Sequence, residues 1–313
     1  MADPKELLLG GLAACGAGLV TNPLEVIKTR IQLQGELRSR GQYTKHYKNV
    51  FHAFYVIGKT EGVLALQKGL VPALWYQFFM NGVRLGVFQS IDNLGLTRNS
   101  KGELVFGLTV ISGALSGATG AALGSPFYLI KTQLQAQANS SIAVGHQHSH
   151  QSFTDAFIKT FKNQGITGLW RGSSAQMLRV TIGSSAQLTT FTNARVIFDK
   201  YSPFPSESIL NTISSAIFSG TAVVCMMTPF DVVSTRMYNQ PVDKITRKGL
   251  LYTGISDCFR KIMQTEGPLG FYKGVSASYL RVGPHTILTF LFWRQIRKYF
   301  VTDNKDKTVI STK

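Results

Sequence analysis

The chain has 313 residues, of which 44% are apolar and only 16% are charged, and its formal net charge is +17. This balance leaves nucleic acid, an anionic membrane or small anions as partners. Its three cysteines, Cys15, Cys225 and Cys258, are widely spaced and form no CxxC motif, so neither a disulfide framework nor a zinc site is supported.

The first apolar segment, residues 7–33, ends in the phrase NPLEVIKTR, in which a proline is followed closely by acidic and basic residues. Two later apolar segments end in a related phrase, SPFYLIKTQ at 125–133 and TPFDVVSTR at 228–236. The prolines of the three phrases recur at an interval of 103 residues and are Pro23, Pro126 and Pro229. Such a fixed period is typical of an internal repeat.

A second phrase follows each proline phrase and keeps the same period. It reads EGVLALQKG, QGITGLWRG and EGPLGFYKG, and its last glycines are Gly69, Gly172 and Gly274. Because two unrelated phrases share one period over three copies, we expect three homologous units rather than three different domains. The predicted units are residues 1–100, 101–203 and 204–313.

Every unit has the same order of elements: an apolar segment, a polar loop with a short amphipathic helix, and a second apolar segment. Each apolar segment has 20 or more residues, enough to cross a bilayer as a helix. Glycine, proline and polar residues interrupt these segments, which favours a bundle around a water-filled cavity over isolated lipid-exposed helices. The sequence therefore predicts an all-α membrane protein with six transmembrane helices in three tandem repeats and threefold pseudosymmetry. The spans are 7–33, 70–91, 107–135, 173–197, 209–238 and 275–300.

The charges divide between the long loops and the predicted spans. Loops 35–68, 134–171 and 235–273 hold 16 basic and 6 acidic residues, so the positive-inside bias places them on one side and both termini on the other. With Asp92 counted at the end of the second span and Arg236 in the third loop, the spans hold 10 basic and only 3 acidic residues. A cavity with surplus positive charge attracts small anions, whereas nucleic acid would need a basic soluble face. The basic residues too deep to reach the interface are Lys28, Arg84, Lys131, Arg179 and Arg281.

The two phrases resemble the signature of the mitochondrial carrier family, Pro-x-Asp/Glu-x-x-Lys/Arg followed after a spacer by Asp/Glu-Gly, four residues, an aromatic residue and Lys/Arg-Gly. The resemblance covers essentially the whole chain. It implies a six-helix carrier in the mitochondrial inner membrane with both termini facing the intermembrane space. Such a carrier acts as a monomer by alternating access around one central site, and it is neither an enzyme nor dependent on a cofactor. The stretches YQFFMNGVRLGVF and LRVTIGSSAQL resemble the oxaloacetate/sulfate branch.

The resemblance implies a gate at the matrix side, where the proline kinks bring three helix ends together. By the family pattern, Glu25 pairs with Lys131 and Asp231 pairs with Lys28. The middle pair is not ionic, because Tyr128 and Ser234 occupy its places, and we therefore expect this gate to hold weakly. Beneath the pairs, Gln32 and Gln135 resemble the glutamine braces of the family, and Tyr238 occupies the third place.

The cytoplasmic gate departs further from the family pattern, in which an aromatic residue precedes an acid and, three residues later, a base. The corresponding phrases here are FQSID, FTNAR and WRQIR. Cyclic pairing sets Arg294 against Asp92, an ion pair with its signs exchanged; a cavity-lining role for Arg294 is the alternative. The candidate residues of this gate are Gln89, Asp92, Arg195, Arg294 and Arg297.

The resemblance places the substrate contacts on the second helix of each unit, seven residues after the last glycine of the second phrase. Helical spacing brings further polar residues onto the same faces. Three arginines around one cavity suit a small doubly charged anion, because guanidinium groups match carboxylate or sulfate oxygens in bidentate fashion. We expect a dicarboxylate such as oxaloacetate or malate, or a sulfur oxoanion such as sulfate or thiosulfate. The candidate substrate-binding residues are Tyr76, Gln77, Arg84, Arg179, Gln187, Arg281 and His285.

Two further groups of residues suggest ligands. The starts of the helices that follow the long loops resemble the cardiolipin sites of the family, where backbone N–H groups and the helix dipole favour a lipid phosphate. The candidate cardiolipin-binding residues are Gly69, Trp170, Arg171, Gly172, Gly254, Tyr272, Lys273 and Gly274. The phrase HQHSH at 146–150 invites a metal reading, but it has no cysteine or carboxylate nearby, and we assign it no metal.

Two other functions remain open. The same fold and a basic cavity would suit a fatty-acid-dependent proton leak of the uncoupling type. A non-transporting receptor or scaffold is the other possibility, and the retained charges of Arg84, Arg179 and Arg281 argue against it.

Overall fold

The structure is a computed structural model that describes residues 4–39, 41–99, 102–201, 209–243 and 245–310, with some side chains in these ranges left undescribed. The helices within these ranges are α1 (Pro4–Leu33), α2 (Val50–Glu61), α3 (Leu70–Asn93), α4 (Phe106–Ala136), α5 (Phe153–Leu169), α6 (Ser173–Tyr201), α7 (Ile209–Asn239), α8 (Ile255–Thr265) and α9 (Val275–Ile310). Two short 3₁₀ helices, Val63–Gln67 and Pro268–Tyr272, precede α3 and α9.

The six long helices form a closed ring in which each one packs against its two neighbours. The order around the ring is α1, α3, α4, α6, α7 and α9, and α9 packs again on α1. The six-helix, three-repeat fold predicted from the sequence is therefore confirmed. By length and hydropathy alone, Phe106–Ala136 and Ile217–Asn239 qualify as membrane spans among the described residues.

The prolines of the three repeated phrases lie inside α1, α4 and α7 rather than at their ends. Proline has no backbone N–H, so each of these helices lacks one internal hydrogen bond at that point, where a helix can bend. Pro284 interrupts α9 in the same way. In each phrase the proline lies just before the polar and charged residues that enter the bundle.

The short helices α2, α5 and α8 lie in the long loops, and we call the end of the bundle that carries them the loop end. Asn49 caps α2 by accepting a hydrogen bond of 2.8 Å from the backbone N–H of His52, and Ser152 caps α5 by accepting one of 3.2 Å from Asp155. These caps satisfy N–H groups that a helix start leaves without partners. The starts of α2 and α5 are thus fixed by side chains, whereas α8 starts at Gly254 without a side-chain cap.

The last glycine of each second phrase fixes the contact with the next repeat. Gly69, Gly172 and Gly274 have φ angles of 71°, 80° and 79°, which L side chains rarely adopt. A Cβ at Gly69 would lie 2.9 Å from the carbonyl oxygen of Lys131. One at Gly172 would lie 3.2 Å from the ring of Tyr238, and one at Gly274 would lie 3.1 Å from Gln32 Cγ. The three helix junctions therefore follow one cyclic rule around the ring.

Candidate substrate site and gates

The six long helices enclose a central cavity of about 290 Å³. All of its helices contribute lining side chains, although α7 contributes only Met227 to the lining. The structure brings all seven predicted substrate-binding residues to this one cavity. They are Tyr76, Gln77, Arg84, Arg179, Gln187, Arg281 and His285.

Glu25 lies at the loop end of this cavity and holds two cations. Its carboxylate forms one ion pair with Lys131 on α4 and a second with Arg281 on α9, where the distance between Arg281 Nη1 and Glu25 Oε1 is 2.9 Å. The pair with Lys131 joins two repeats in the expected manner. The pair with Arg281 was not expected, and it ties a predicted substrate arginine to a predicted gate acid.

Asp231 on α7 repeats this arrangement. Its carboxylate lies 2.5 Å from Lys28 Nζ and 3.5 Å from Nη1 of Arg179, and its side chain is only 3% exposed. Gln32 donates a hydrogen bond of 2.8 Å to the same carboxylate, which is the bracing contact expected of it. The two acids thus make four ionic contacts with four cations, where the sequence predicted two.

The third pair, between Tyr128 and Ser234, is not formed. Ser234 Oγ instead donates to Gln176 Oε1 at 3.0 Å. The Tyr128 ring packs against those of Tyr76 and Tyr238, with centroid distances of 4.9 and 5.1 Å. A hydroxyl next to an amide acceptor has a better partner than a distant phenol, and the ring is held by aromatic packing.

The Tyr128 ring also forms cation–π contacts with two cationic side chains. Lys131 Nζ lies 5.2 Å and the guanidinium carbon of Arg179 lies 5.7 Å from the ring centroid. The ring face is the negative part of an aromatic quadrupole, so it favours nearby positive charge. In the place of a third carboxylate, the chain therefore has an aromatic face, which attracts the cations without neutralising them.

Gln176 connects the cavity with this third position. Its amide donates to the Tyr76 hydroxyl at 2.6 Å and accepts from Arg179 Nε at 2.9 Å, in addition to the contact with Ser234. The side chain is fully buried. The sequence places it on the same polar helix face as Arg179 and Gln187, by its spacing of three residues from Arg179, but it is not among the predicted substrate-binding residues.

Gln135 does not brace the pair of Glu25 and Lys131. It accepts a hydrogen bond of 3.0 Å from Thr29 and donates one of 3.1 Å to Asn22. Tyr238, in the third bracing place, bonds with Ser125 at 2.9 Å. These two side chains therefore connect the first helices of adjacent repeats, and neither of them contacts the ion pair.

The expected ion pair between Arg294 and Asp92 is not formed in this structure. Asp92 accepts a hydrogen bond from Thr97 and lies 3.5 Å from Arg98 Nε, both in the short connection after α3. Arg294 is exposed, and Gln89 donates to Asn93 on its own helix at 3.0 Å. Local partners reach Asp92 with little loss of chain entropy, whereas Arg294 is on a different repeat. The side chains of Arg195 and Arg297 lie outside the described residues.

Outside the cavity, a repeated charged cluster holds the loop end together. In repeat 1, Arg30 and Lys68 bind Glu61 at 2.6 and 2.7 Å. Arg30 also donates to the backbone carbonyl of Gln137 in the next repeat at 2.6 Å. Burial would raise the pKa of Glu61, but hydrogen bonds from Arg30 and Lys68 lower it below the usual value. We call such a trio a strut.

Repeat 3 has the same strut. Arg236 and Lys273 bind Glu266 at 2.5 and 2.6 Å, and Arg236 Nη2 donates to the carbonyl of Gln32 in repeat 1 at 3.2 Å. Sequence analysis missed both struts. A signal was present, because the arginine of the first phrase and the glutamate of the second are both replaced by glutamine in repeat 2, at 133 and 164.

Repeat 2 has no strut, and histidines of the phrase HQHSH at 146–150 form hydrogen bonds in its place. His150 Nε2 lies 3.0 Å from Gln133 Oε1, and Gln133 donates to the carbonyl of Tyr238 at 3.3 Å. His148 Nε2 donates to the carbonyl of Asn239 at 3.1 Å, and burial lowers the pKa of His148 to about 3. No group of three or more side chains suited to a metal ion occurs in the described part of the chain. The histidines here join repeats 2 and 3.

Of the predicted cardiolipin residues, Gly69 lies at the start of α3, and the others lie at the starts of α6, α8 and α9. Trp170 is 38% exposed and its indole donates to the carbonyl of Ala122 at 2.8 Å, and Tyr272 is 41% exposed. Burial lowers the pKa of Arg171, whose Nη1 has no partner within the described residues. The ammonium group of Lys273 forms an ion pair with Glu266 in the strut of repeat 3. Gly254 is the residue before α8, with no atom within 4 Å of an added Cβ.

Comparisons with known proteins extend over all three repeats. The family described as "Mitochondrial carrier protein" matches residues 3–99, 102–202 and 205–304. Solute carrier family 25 member 35 of Mus musculus is 51% identical over 298 residues, covering 95% of this chain and 99% of that protein. The mitochondrial oxaloacetate transport protein of Schizosaccharomyces pombe is 40% identical over 302 residues, covering 96% and 92%. Mitochondrial citrate transporter E of Aspergillus niger is 40% identical over 293 residues, covering 93% and 92%.

Proposed function

Because this chain belongs to the mitochondrial carrier family of inner-membrane transporters, we propose that it exchanges small dianions by alternating access. The dianions are dicarboxylates such as oxaloacetate or malate, and sulfur oxoanions such as sulfate or thiosulfate. The observation that carries the proposal is the convergence of arginines from three repeats on one central cavity. Relatives named as oxaloacetate transport proteins, at 40% and 41% identity, support the same substrate class.

The charge balance of the cavity supports a doubly charged permeant. Five cationic side chains lie on its wall, and two carboxylates, Glu25 and Asp231, pair with four of them. Arg84 has no ion pair among the described residues. Uncompensated charge in a site of low dielectric is costly, so an anion that supplies two negative charges is strongly favoured. The cationic residues are Lys28, Arg84, Lys131, Arg179 and Arg281.

The size of the cavity supports a compact permeant. Its volume of about 290 Å³ lies at the lower end of ligand sites, which span roughly 300–1,000 Å³. A four-carbon dicarboxylate or a tetrahedral oxoanion fits within this space together with some water. In repeat 2, Arg179 and Val180 occupy the positions where a nucleotide carrier would have a glycine and an aliphatic residue. This also disfavours a nucleotide as the permeant.

The contacts at the loop end suggest which state of the cycle this is. Glu25 and Asp231 tie the loop ends of α1, α4 and α7 together, while Arg294 and Asp92 at the other end are apart. We assign the loop end to the matrix side and this structure to the state closed there. In the opposite state we expect the matrix pairs to separate and Arg294 to approach Asp92.

Binding and gating are linked because they use the same arginines. A dianion that binds Arg179 and Arg281 competes with Asp231 and Glu25 for those guanidinium groups. Each carboxylate then keeps one lysine instead of two cations, so the bound permeant weakens the closed gate. In the empty carrier, separating the gate would expose unpaired buried charges, which opposes opening. This linkage favours exchange over leakage.

Reconstitution tests the proposal. The full-length protein is inserted into liposomes loaded with one of oxaloacetate, malate, sulfate, thiosulfate, phosphate or ADP, and uptake of each labelled anion is measured. We expect exchange of the dicarboxylates and sulfur oxoanions, and a loss of at least about tenfold in Arg179→Ala and Arg281→Ala, equal to one charge-assisted hydrogen bond. A matched control is Lys159→Ala, which removes an exposed loop cation. Exchange of ADP alone would reject the proposal.

We also propose that cardiolipin binds the starts of α6, α8 and α9. The support is the unpaired Nη1 of Arg171, the aromatic side chains of Trp170 and Tyr272 at the surface, and the free N–H groups of helix starts. Lys273 is engaged by Glu266, so its site depends more on backbone N–H groups. Native mass spectrometry of Arg171→Ala should show less retained cardiolipin than the wild type, and equal retention would count against the α6 site.

A further inference from the structure

His285 is the one imidazole on the wall of the central cavity among the described residues. It lies on α9, one helical turn after Arg281. Its Nδ1 atom is 3.1 Å from the hydroxyl oxygen of Thr21 on α1, and that hydroxyl lies 2.9 Å from the carbonyl oxygen of Ala17. The two contacts share a single hydroxyl hydrogen.

The contact with Ala17 favours one arrangement of the hydrogens. A carbonyl oxygen can only accept, so in this arrangement the hydroxyl hydrogen of Thr21 points to Ala17. The oxygen of Thr21 then has only acceptor capacity left for His285. Nδ1 of His285 must therefore carry the ring hydrogen, and Nε2 of the neutral ring presents a lone pair.

Nε2 is the unusual group of this cavity. It forms no hydrogen bond within the described part of the chain, whereas the surrounding arginine and lysine side chains can only donate. The charged groups near the ring are Arg281 on α9, Lys131 on α4 and Glu25 on α1. Glu25 is already paired with both cations, so no free carboxylate is available to stabilise a doubly protonated imidazole ring.

We propose that His285 determines specificity by accepting a hydrogen bond from an O–H group of the bound anion. This inference rests on the proposed function. A hydroxydicarboxylate offers such a group itself, and a dicarboxylate or oxoanion that enters with one proton offers it as well. A fully ionised permeant without a hydroxyl leaves Nε2 without a donor from the permeant, and sites that bind a substrate hydroxyl discriminate strongly against analogues that lack it.

The test compares malate with succinate, because the two dicarboxylates differ by one hydroxyl. Initial exchange rates are measured in liposomes that contain the full-length protein. We expect the wild type to prefer malate, and His285→Leu to lower the malate-to-succinate ratio roughly tenfold, the value of one hydrogen bond. His285→Gln keeps an acceptor and should retain part of the preference.

Thr21 provides a matched pair of variants that leaves the imidazole in place. Thr21→Val keeps the shape but removes the oxygen that accepts from Nδ1, so the ring hydrogen can move to Nε2 and the preference for malate should fall. Thr21→Ser keeps the hydroxyl and should keep the preference. A purely structural role of this contact would lower the rates of both permeants equally in Thr21→Val and leave their ratio unchanged.

A pH gradient separates the two sources of the O–H group. If the proton enters with the anion, uptake of succinate and sulfate should rise with an alkaline interior in the wild type but not in His285→Leu. If it is the permeant's own hydroxyl, only the malate preference changes. Unchanged ratios together with an unchanged response to the gradient in His285→Leu would overturn the inference. Wild-type liposomes that exchange no dianion would instead reject the proposed function.

Discussion

Arg281 on α9 and Glu25 on α1 form an ion pair of 2.9 Å at the closed end of the central cavity. One partner was predicted to bind the permeant and the other to close the gate. Arg179 and Asp231 repeat the relationship at 3.5 Å. The gate and the binding site therefore share their charged groups, and changes to one should be measurable in the other.

Glu25→Gln should destabilise the closed state. The change leaves Lys131 and Arg281 buried without their counter-ion, which typically costs about 3–5 kcal/mol. Thermal unfolding of the purified protein in detergent should show a lower midpoint, and added sulfate should raise that midpoint more than in the wild type, because the anion replaces the lost charge. Asp155→Asn, which breaks the half-exposed pair with Lys159, is the control and should change stability by less than about 1 kcal/mol. Equal midpoints for Glu25→Gln and the wild type would contradict this account.

Gly69→Ala should destabilise the protein more than Gly95→Ala. Both glycines have positive φ angles, 71° and 74°, so both changes introduce backbone strain of about 1 kcal/mol. Only at Gly69 does the new Cβ meet other atoms, at 2.9 Å from the carbonyl oxygen of Lys131; at Gly95 nothing lies within 4 Å. The measurement is thermal unfolding of the two variants side by side. Similar losses would mean that the junction between repeats 1 and 2 adjusts freely.

Glu266→Gln should weaken the strut of repeat 3. Burial would raise the pKa of Glu266, but hydrogen bonds from Arg236 and Lys273 lower it, so the ionised strut stabilises the protein at neutral pH and is lost only in acid. We expect a loss of about 3–5 kcal/mol at pH 7, because Arg236 is fully buried. Asp257→Asn, on the neighbouring α8, breaks only a partly exposed pair with Lys261 and serves as the control. A strut variant no less stable than this control would refute the assignment.

His148 should make the stability depend on pH between about 6.5 and 3. Burial lowers its pKa to about 3, whereas an unfolded histidine titrates near about 6.5. Between these values the unfolded chain binds a proton that the folded chain does not, so stability is full above about pH 6.5 and falls as the pH decreases. Unfolding midpoints at pH 7.5 and 5.5 should therefore differ by several degrees in the wild type and by less in His148→Gln. An identical slope in the variant would show that other groups cause it.

The sequence by itself determined the repeats and the fold. Two phrases with one period specified three units, and the length and polarity of six segments specified a helical bundle around a cavity. The family resemblance, together with helical spacing after each second phrase, also identified seven of the residues that line that cavity. These features depend on local spacing along one helix and on a pattern that each repeat carries in itself.

Only the tertiary structure decided which side chains are partners across repeats. The family pattern in the sequence paired each acid with one base, but in the fold Arg281 lies beside Glu25 and Arg179 lies beside Asp231. Ser234 forms its hydrogen bond with Gln176 instead of Tyr128. Asp92 forms its ion pair with Arg98 rather than with Arg294. Contacts within a buried cavity depend on how several helices bend and rotate together and on which neighbour is nearest in space. No spacing along a single segment contains that information.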